Sequence, residues 1–377
     1  MSHLLRNLHT KAALVLGALS PAACGSSDSM APKSSRPAGD GSGYVVATVT
    51  VTDLGTLGGL TSGATGVNDQ GVVVGASLVS CPTCTPKQTP SHAFRFLSGQ
   101  LTDLGTLGGK SSAAKAINNN GWIVGWAHTT GNAQHASLWK PGSAAQDLGT
   151  MGGPTSIAWG INKKNQIVGQ SDVPSPGRFH AFLWQNGTFT DLGLLPGGDW
   201  SVAQAINDSG LIVGQASTSV GVIHAVLWRK VTHTIRDLGV LPGTGSATRF
   251  SVAYGVNNSG QIVGSSDVPG GGRHVFRWVA GTMQDLGTPS GGFSTSFAEA
   301  FGINDAGQIV GAGVSFTGLN QAFVWKAGSY TDLGFLPTGN VSSARSINRN
   351  GLIAGTSNKQ KPNSNVHVDH AAIWTTP

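Results

Sequence analysis

The amino-acid sequence predicts an all-β protein, a seven-bladed β-propeller of four-stranded blades, on three observations. Of 377 residues, 56 are glycine and only 11% are charged, a strand-and-turn composition well below the roughly 25% charge of an average globular chain. One unit of 44 to 50 residues recurs seven times, the period of propeller blades. Each unit holds four short strand-patterned segments separated by Gly, Asn, Asp and Pro. Long helical Glu/Lys stretches are missing, and Glu299 is the single glutamate, which excludes a helical architecture.

Taken in chain order, residues 1–23 place Arg6 and Lys11 ahead of an apolar stretch and end in Ala22 and Ala23, the pattern of an export signal. The run Leu-Ser-Pro-Ala-Ala-Cys resembles a bacterial lipoprotein cleavage site with Cys24 as the lipid-bearing residue. Pro21 departs from the apolar residue usual there, so ordinary cleavage near Ala23 is the competing reading. Cysteine arithmetic fits a lipidated Cys24: Cys81 and Cys84 sit together in Cys-Pro-Thr-Cys, and Cys24 is left over. In an exported protein that pair is expected to form a local disulfide. Residues 24–43 are rich in Ser, Gly, Pro and Ala and are expected to form a flexible tether with a reach of roughly 25 Å.

The repeats occupy residues 44–377. Asp-Leu-Gly recurs at Asp53, Asp103, Asp147, Asp191, Asp237, Asp285 and Asp332. An Ile/Val-Asn segment follows each copy, at Asn68, Asn118, Asn162, Asn207, Asn257, Asn304 and Asn348. Three residues later comes Gly, or Asn165 in the third copy, then an Ile-Val-Gly-like run, a variable loop, and a segment such as His180-Ala181-Phe182-Leu183-Trp184. These motifs resemble the HAF-repeat family of probable extracellular repeat proteins over residues 51–374. The resemblance implies an extracytoplasmic location and supplies no activity. Gln321 replaces His in the sixth unit, and Phe96 replaces Trp in the first.

The chain begins its repeats with Tyr44–Gly55, an Asp-Leu-Gly strand alone, and the last unit after His370–Trp374 lacks one. The N-terminal strand is therefore expected to complete the last blade and close the ring, which leaves no open sheet ends. With the Asn strand innermost and the Asp-Leu-Gly strand outermost, the short Asn turns share one face and read as framework. The variable loops share the other, where binding residues are expected to concentrate.

One column departs from the repeat's uniformity. Three positions before each Asn stand Thr65, Lys115, Trp159, Gln204, Tyr254, Phe301 and Arg345, flanked by Ala, Gly or Ser. Small neighbours let inner strands approach an axis, so these side chains are expected to ring the mouth of a central channel, as ligand contacts or as a plug. Nearby loops add Trp200, Arg249, Phe250, Phe297, Asp199 and Glu299.

Other patterns read as structure. One aspartate per unit leaves carboxylates too dispersed for calcium, so turn capping is expected of the Asp-Leu-Gly column. The histidine column is spread likewise and is expected to bond within its own unit; no metal or cofactor is expected. Residues 44–377 carry 19 basic and 15 acidic groups with no basic stretch interleaved with aromatics, which argues against nucleic acid despite a pI near 9.4.

The functional expectation is an exported, lipid-anchored, monomeric propeller in the bacterial cell envelope (periplasmic or surface-exposed), or a secreted one. It acts as a non-enzymatic module that binds a glycan, peptide or protein and touches the membrane only through the anchor. Two alternatives stay open: a carbohydrate-active enzyme using Asp199 and Glu299 as its carboxylate pair, and a purely structural or adhesive module.

Overall fold

The computed structural model describes residues 49–83, 89–175, 178–229, 234–243, 249–289, 293–315 and 317–376. The export signal, Cys24, the tether and Cys84 lie outside the described residues. Cys81 is disulfide-bonded.

Among the described residues there are 28 strands and no helix. The third repeat shows the common plan: Ser156–Ile161, Ile167–Asp172, Phe179–Gln185 and Thr188–Asp191 pair in that order as one antiparallel sheet. This is the strand order read from the motifs. Each sheet is named below by the asparagine that follows its first strand. The Asn348 sheet contains Ser342–Ile347, Ile353–Gln360 and His367–Thr375, and its fourth strand is Thr50–Asp53, with Val51 opposite Trp374. The Asn257 and Asn304 sheets are joined by a single parallel pairing of Arg273 with Phe297.

The strands alternate because one face of each sheet packs on the sheet before it and the other on the sheet after it. The core is accordingly a set of layers between sheets. Val168 and Leu183 of the Asn162 sheet meet Ile206, Ile212 and Trp228 of the Asn207 sheet. The aromatics of the His-Ala-Phe segments are the largest fully buried side chains, among them Phe182, Phe276, Trp139, Trp228 and Trp374. Polar bonds link the same neighbours. Ser201 accepts the Ala181 N–H of the preceding sheet at 2.9 Å and donates to the Gly193 carbonyl. Ser62, Ser112, Ser156, Ser251 and Ser342 repeat this pattern.

Every first strand carries a β-bulge, and it falls at the variable column. Ala158 pairs with Gly169 and Gly160 with Val168, so Trp159 is the extra residue. The same break isolates Thr65, Lys115, Gln204, Tyr254, Phe301 and Arg345. A bulge re-aims the side chain it frees. It also explains the small residue that follows: a Cβ on Gly160 would lie 3.0 Å from the Gln204 carbonyl of the next sheet.

Candidate functional site

The seven bulged side chains converge. Thr65, Lys115, Trp159, Gln204, Tyr254, Phe301 and Arg345 line one cavity of about 210 Å³, as expected from their shared position. Its extent differs from expectation. The walls continue through the branched residues Val67, Ile117, Ile161, Ile206, Val256, Ile303 and Ile347, which also line a second cavity among the Asn turns. The side chains thus stand inside the channel, and the space runs toward the framework face rather than ending as a mouth on the variable face. The physical reason is the bulge, which turns these residues inward at mid-strand.

Within the cavity, aromatics carry the cations. The Lys115 ammonium lies 4.8 Å from the Trp159 ring centre, and the Arg345 guanidinium 4.1 Å from that of Phe301. Phe301 meets Tyr254 edge-on at 5.3 Å. Burial, aided by repulsion from Arg345, lowers the Lys115 ammonium to about 8. Burial also lowers Arg345, against the attraction of Glu299, and raises the Tyr254 hydroxyl far above its ordinary range. Trp159 Nε1 donates to Gln170 at 3.2 Å, whereas Gln204 Nε2 is buried without a hydrogen-bond partner.

The remaining candidates assemble elsewhere. Arg273 donates to Asp267 at 3.0 Å and to Glu299 at 3.2 Å, and its guanidinium stacks 4.0 Å from the Phe250 ring centre. Arg249 donates to the Gly243 and Asp267 carbonyls. Arg249, Arg273 and Phe297 line a separate space of about 470 Å³. Asp199 accepts from Ser217 at 2.7 Å, and Trp200 packs against Phe179. Asp199 and Glu299 therefore have different partners: one caps its own hairpin and the other is neutralised by Arg273. Arg273, absent from the sequence candidates, organises this loop cluster; its spacing of six from Asp267 is the signal that was available.

The asparagines do more than turn the chain. Each Oδ1 accepts local N–H groups, as Asn207 does from Ser209 and Leu211. Each Nδ2 also donates to the backbone carbonyl of the next sheet's asparagine at 2.9–3.2 Å. This circuit runs from Asn68 through Asn118, Asn162, Asn207, Asn257 and Asn304 to Asn348, whose Nδ2 returns to the Asn68 carbonyl.

The Asp and His columns satisfy one another. All seven Asp-Leu-Gly aspartates accept the N–H of the glycine two residues on, as expected for turn caps. Six also take the Nδ1 of a His on the adjacent strand at 2.7–3.0 Å, from His92–Asp103 to His370–Asp53. Among the described residues no three His, Cys, Asp or Glu side chains form a metal-binding group.

Burial alone would raise the Asp53 carboxyl, yet hydrogen bonds from His370, Lys359 and the Gly55 N–H hold it well below the usual carboxylate range. His224 and Gly239 lower Asp237 in the same way. A depressed folded pKa contributes stability that is present above the unfolded value and lost as pH falls through the folded one. Thermal stability should therefore be insensitive to Asp53 titration above about pH 5 and fall below about pH 4. Asp53→Asn should be less stable at neutral pH and respond less to acid. Parallel pH curves for the two proteins would show that these bonds do not couple to folding.

Repeated four-stranded antiparallel sheets whose first strands line a shared axial cavity define a β-propeller. No protein-family model and no curated sequence matches the chain. It is similar to a structure from a study of two prolyl endopeptidases, with 12% identity over 84% of this chain and 50% of that one, TM-score 0.54. It is also similar to a puromycin-hydrolyzing peptidase from Mycobacterium tuberculosis, with 11% identity over 79% and 50%, TM-score 0.52. The β-propeller domain of the Trilobed protease from Pyrococcus furiosus aligns with 10% identity over 71% and 82%, TM-score 0.47. The chain spans half the length of the first two, and likeness at this identity concerns the fold alone.

Proposed function

We propose that this chain is a closed propeller of seven blades that works as a non-enzymatic binding module for a glycan, peptide or protein. The seven-membered asparagine circuit and the pairing of Thr50–Asp53 with His367–Thr375 support the blade count and closure. The observation that carries the binding reading is the cavity. Seven otherwise uniform repeats each contribute a different side chain to it, three of them aromatic and two cationic. A scaffold that needed only a plug would have no use for buried cations. In this reading the ligand enters from the side of the asparagine turns, toward which the cavity extends.

The protein is proposed to be exported, anchored by a lipid on Cys24 and monomeric, in keeping with its N-terminal sequence and its resemblance to HAF-repeat proteins. A glycan and peptide array should show saturable binding to the full chain and none to the Trp159→Ala/Tyr254→Ala double variant, with circular dichroism showing both folded. Equal binding by the two proteins would move the site away from the axis, and no binding by either would favour a structural module.

A further inference from the structure

We propose that the axial cavity is a binding site for a small oxyanion, held by Lys115, Arg345 and Gln204. The inference rests on the cavity being the ligand site of the binding module and names the chemistry it accepts.

Lys115 and Arg345 line this space with no acceptor among the described residues bonded to either, and the unpartnered Gln204 Nε2 lies buried in its wall. Lys115 and Arg345 stand on the two sheets flanking the Thr65 sheet, and each leans on the aromatic of its outer neighbour rather than on a carboxylate. Gln204 is only 8% exposed, and its Nε2 has no partner. Glu299 is near enough to act on Arg345 and Tyr254, but its carboxylate is taken by Arg273 at 3.2 Å and by Ser265 at 3.4 Å. The cavity therefore carries excess positive charge, with both cations only partly accessible to solvent. Leaving two like charges buried and unpaired is costly.

Folding does not demand that charge. The same bulge position is filled by Thr65, Trp159, Gln204, Tyr254 and Phe301 in the other repeats, so a neutral residue serves the fold equally well. What the two cations add is recognition. A guanidinium and an ammonium flanking one space suit carboxylate, phosphate or sulfate oxygens. The rings of Trp159, Tyr254 and Phe301 offer flat apolar walls to any body attached to the anion. A volume of about 210 Å³ lies below the roughly 300–1,000 Å³ of drug-sized sites, which fits a small anion or the acidic end of a larger ligand.

The test is isothermal titration of the full chain with inorganic phosphate and with benzoate, alongside Lys115→Met/Arg345→Met and Gln204→Leu variants. Phosphate reports a bare oxyanion, and benzoate one carrying an aromatic body. Saturable binding of at least one is expected. The double variant should lose about 100-fold in affinity, the scale of two charge-assisted hydrogen bonds. Gln204→Leu should lose several-fold. Wild-type affinity should fall as pH rises through about 8, where Lys115 discharges with Arg345, Tyr254 and Glu299 around it, and this decline should be absent from the double variant.

Without anion, the double variant should melt at a higher temperature than wild type, which shows that it folds and that the cations are unpaired. No saturable binding of either probe at millimolar concentration, or equal binding by the double variant, overturns the proposal. Array binding by the wild type with no saturable binding of either anion would remove the oxyanion site while leaving the binding module intact. Absence of both from the wild type removes the reading on which it rests.

Discussion

Gly264→Ala is expected to leave little folded protein. Gly264 is the glycine of the fifth Ile-Val-Gly segment, opposite Ala253 beside the bulge at Tyr254. An added Cβ would sit far inside contact distance of the Val252 carbonyl oxygen and 3.0 Å from the Ala253 Cα. Neither is a side-chain end that can swing away. Relief requires the two strands to part where Val252, Ala253, Ile262 and Val263 are fully buried. The cost should exceed about 4 kcal/mol, a large share of the 5–15 kcal/mol that holds a typical domain. Soluble yield and the denaturant midpoint measure it. Gly131→Ala is the control: its Cβ would meet only the Thr129 hydroxyl at 3.8 Å, and its effect should stay within about 0.5 kcal/mol. A Gly264→Ala midpoint equal to the control's would mean that the bulge is not as described.

Asn207→Ala is expected to cost about 3–4 kcal/mol in denaturant unfolding, near 1 kcal/mol for each of the four hydrogen bonds lost, the Ser209 hydroxyl's bond to Oδ1 included. The side chain is 5% exposed. Its Oδ1 accepts the N–H groups of Ser209 and Leu211, and its Nδ2 reaches the Asn257 carbonyl at 2.9 Å. Alanine removes these bonds together, and only the bond to the Asn257 carbonyl is fully buried. Asn207→Asp separates the two roles, because it keeps the acceptor and removes the donor. If the link to the next sheet matters, the Asp variant is destabilised as well, its carboxylate facing a carbonyl oxygen. Wild-type stability of the Asp variant would reduce Asn207 to a local turn residue.

Much of this architecture was readable because it repeats. Seven Asp-Leu-Gly and seven Ile/Val-Asn motifs mark strand order and turn chemistry, since period-two patterning and the demand for a capped turn act within a few residues. The convergence of Lys115, Trp159 and Arg345 followed from their equal place in each unit. What stayed hidden lies between residues distant in sequence. The partner of His180 is Asp191 because register on adjacent strands sets them face to face. The Ser201 link to Ala181 and the asparagine circuit cross from sheet to sheet, and a repeat seen in isolation has no neighbour to show them. That Trp159 is a bulged residue stays hidden until its pairing is known to skip it.

The amino-acid sequence by itself determined the all-β class, the repeating unit, its strand order and the column of differing side chains, because local patterning and turn residues decide these. Only the tertiary structure decided that the column is freed by bulges, that the cavity runs toward the asparagine turns, and that Arg273 rather than a carboxylate pair organises Glu299. Those outcomes depend on how neighbouring sheets pack, where backbone oxygens and charged side chains from separate repeats compete for the same small space.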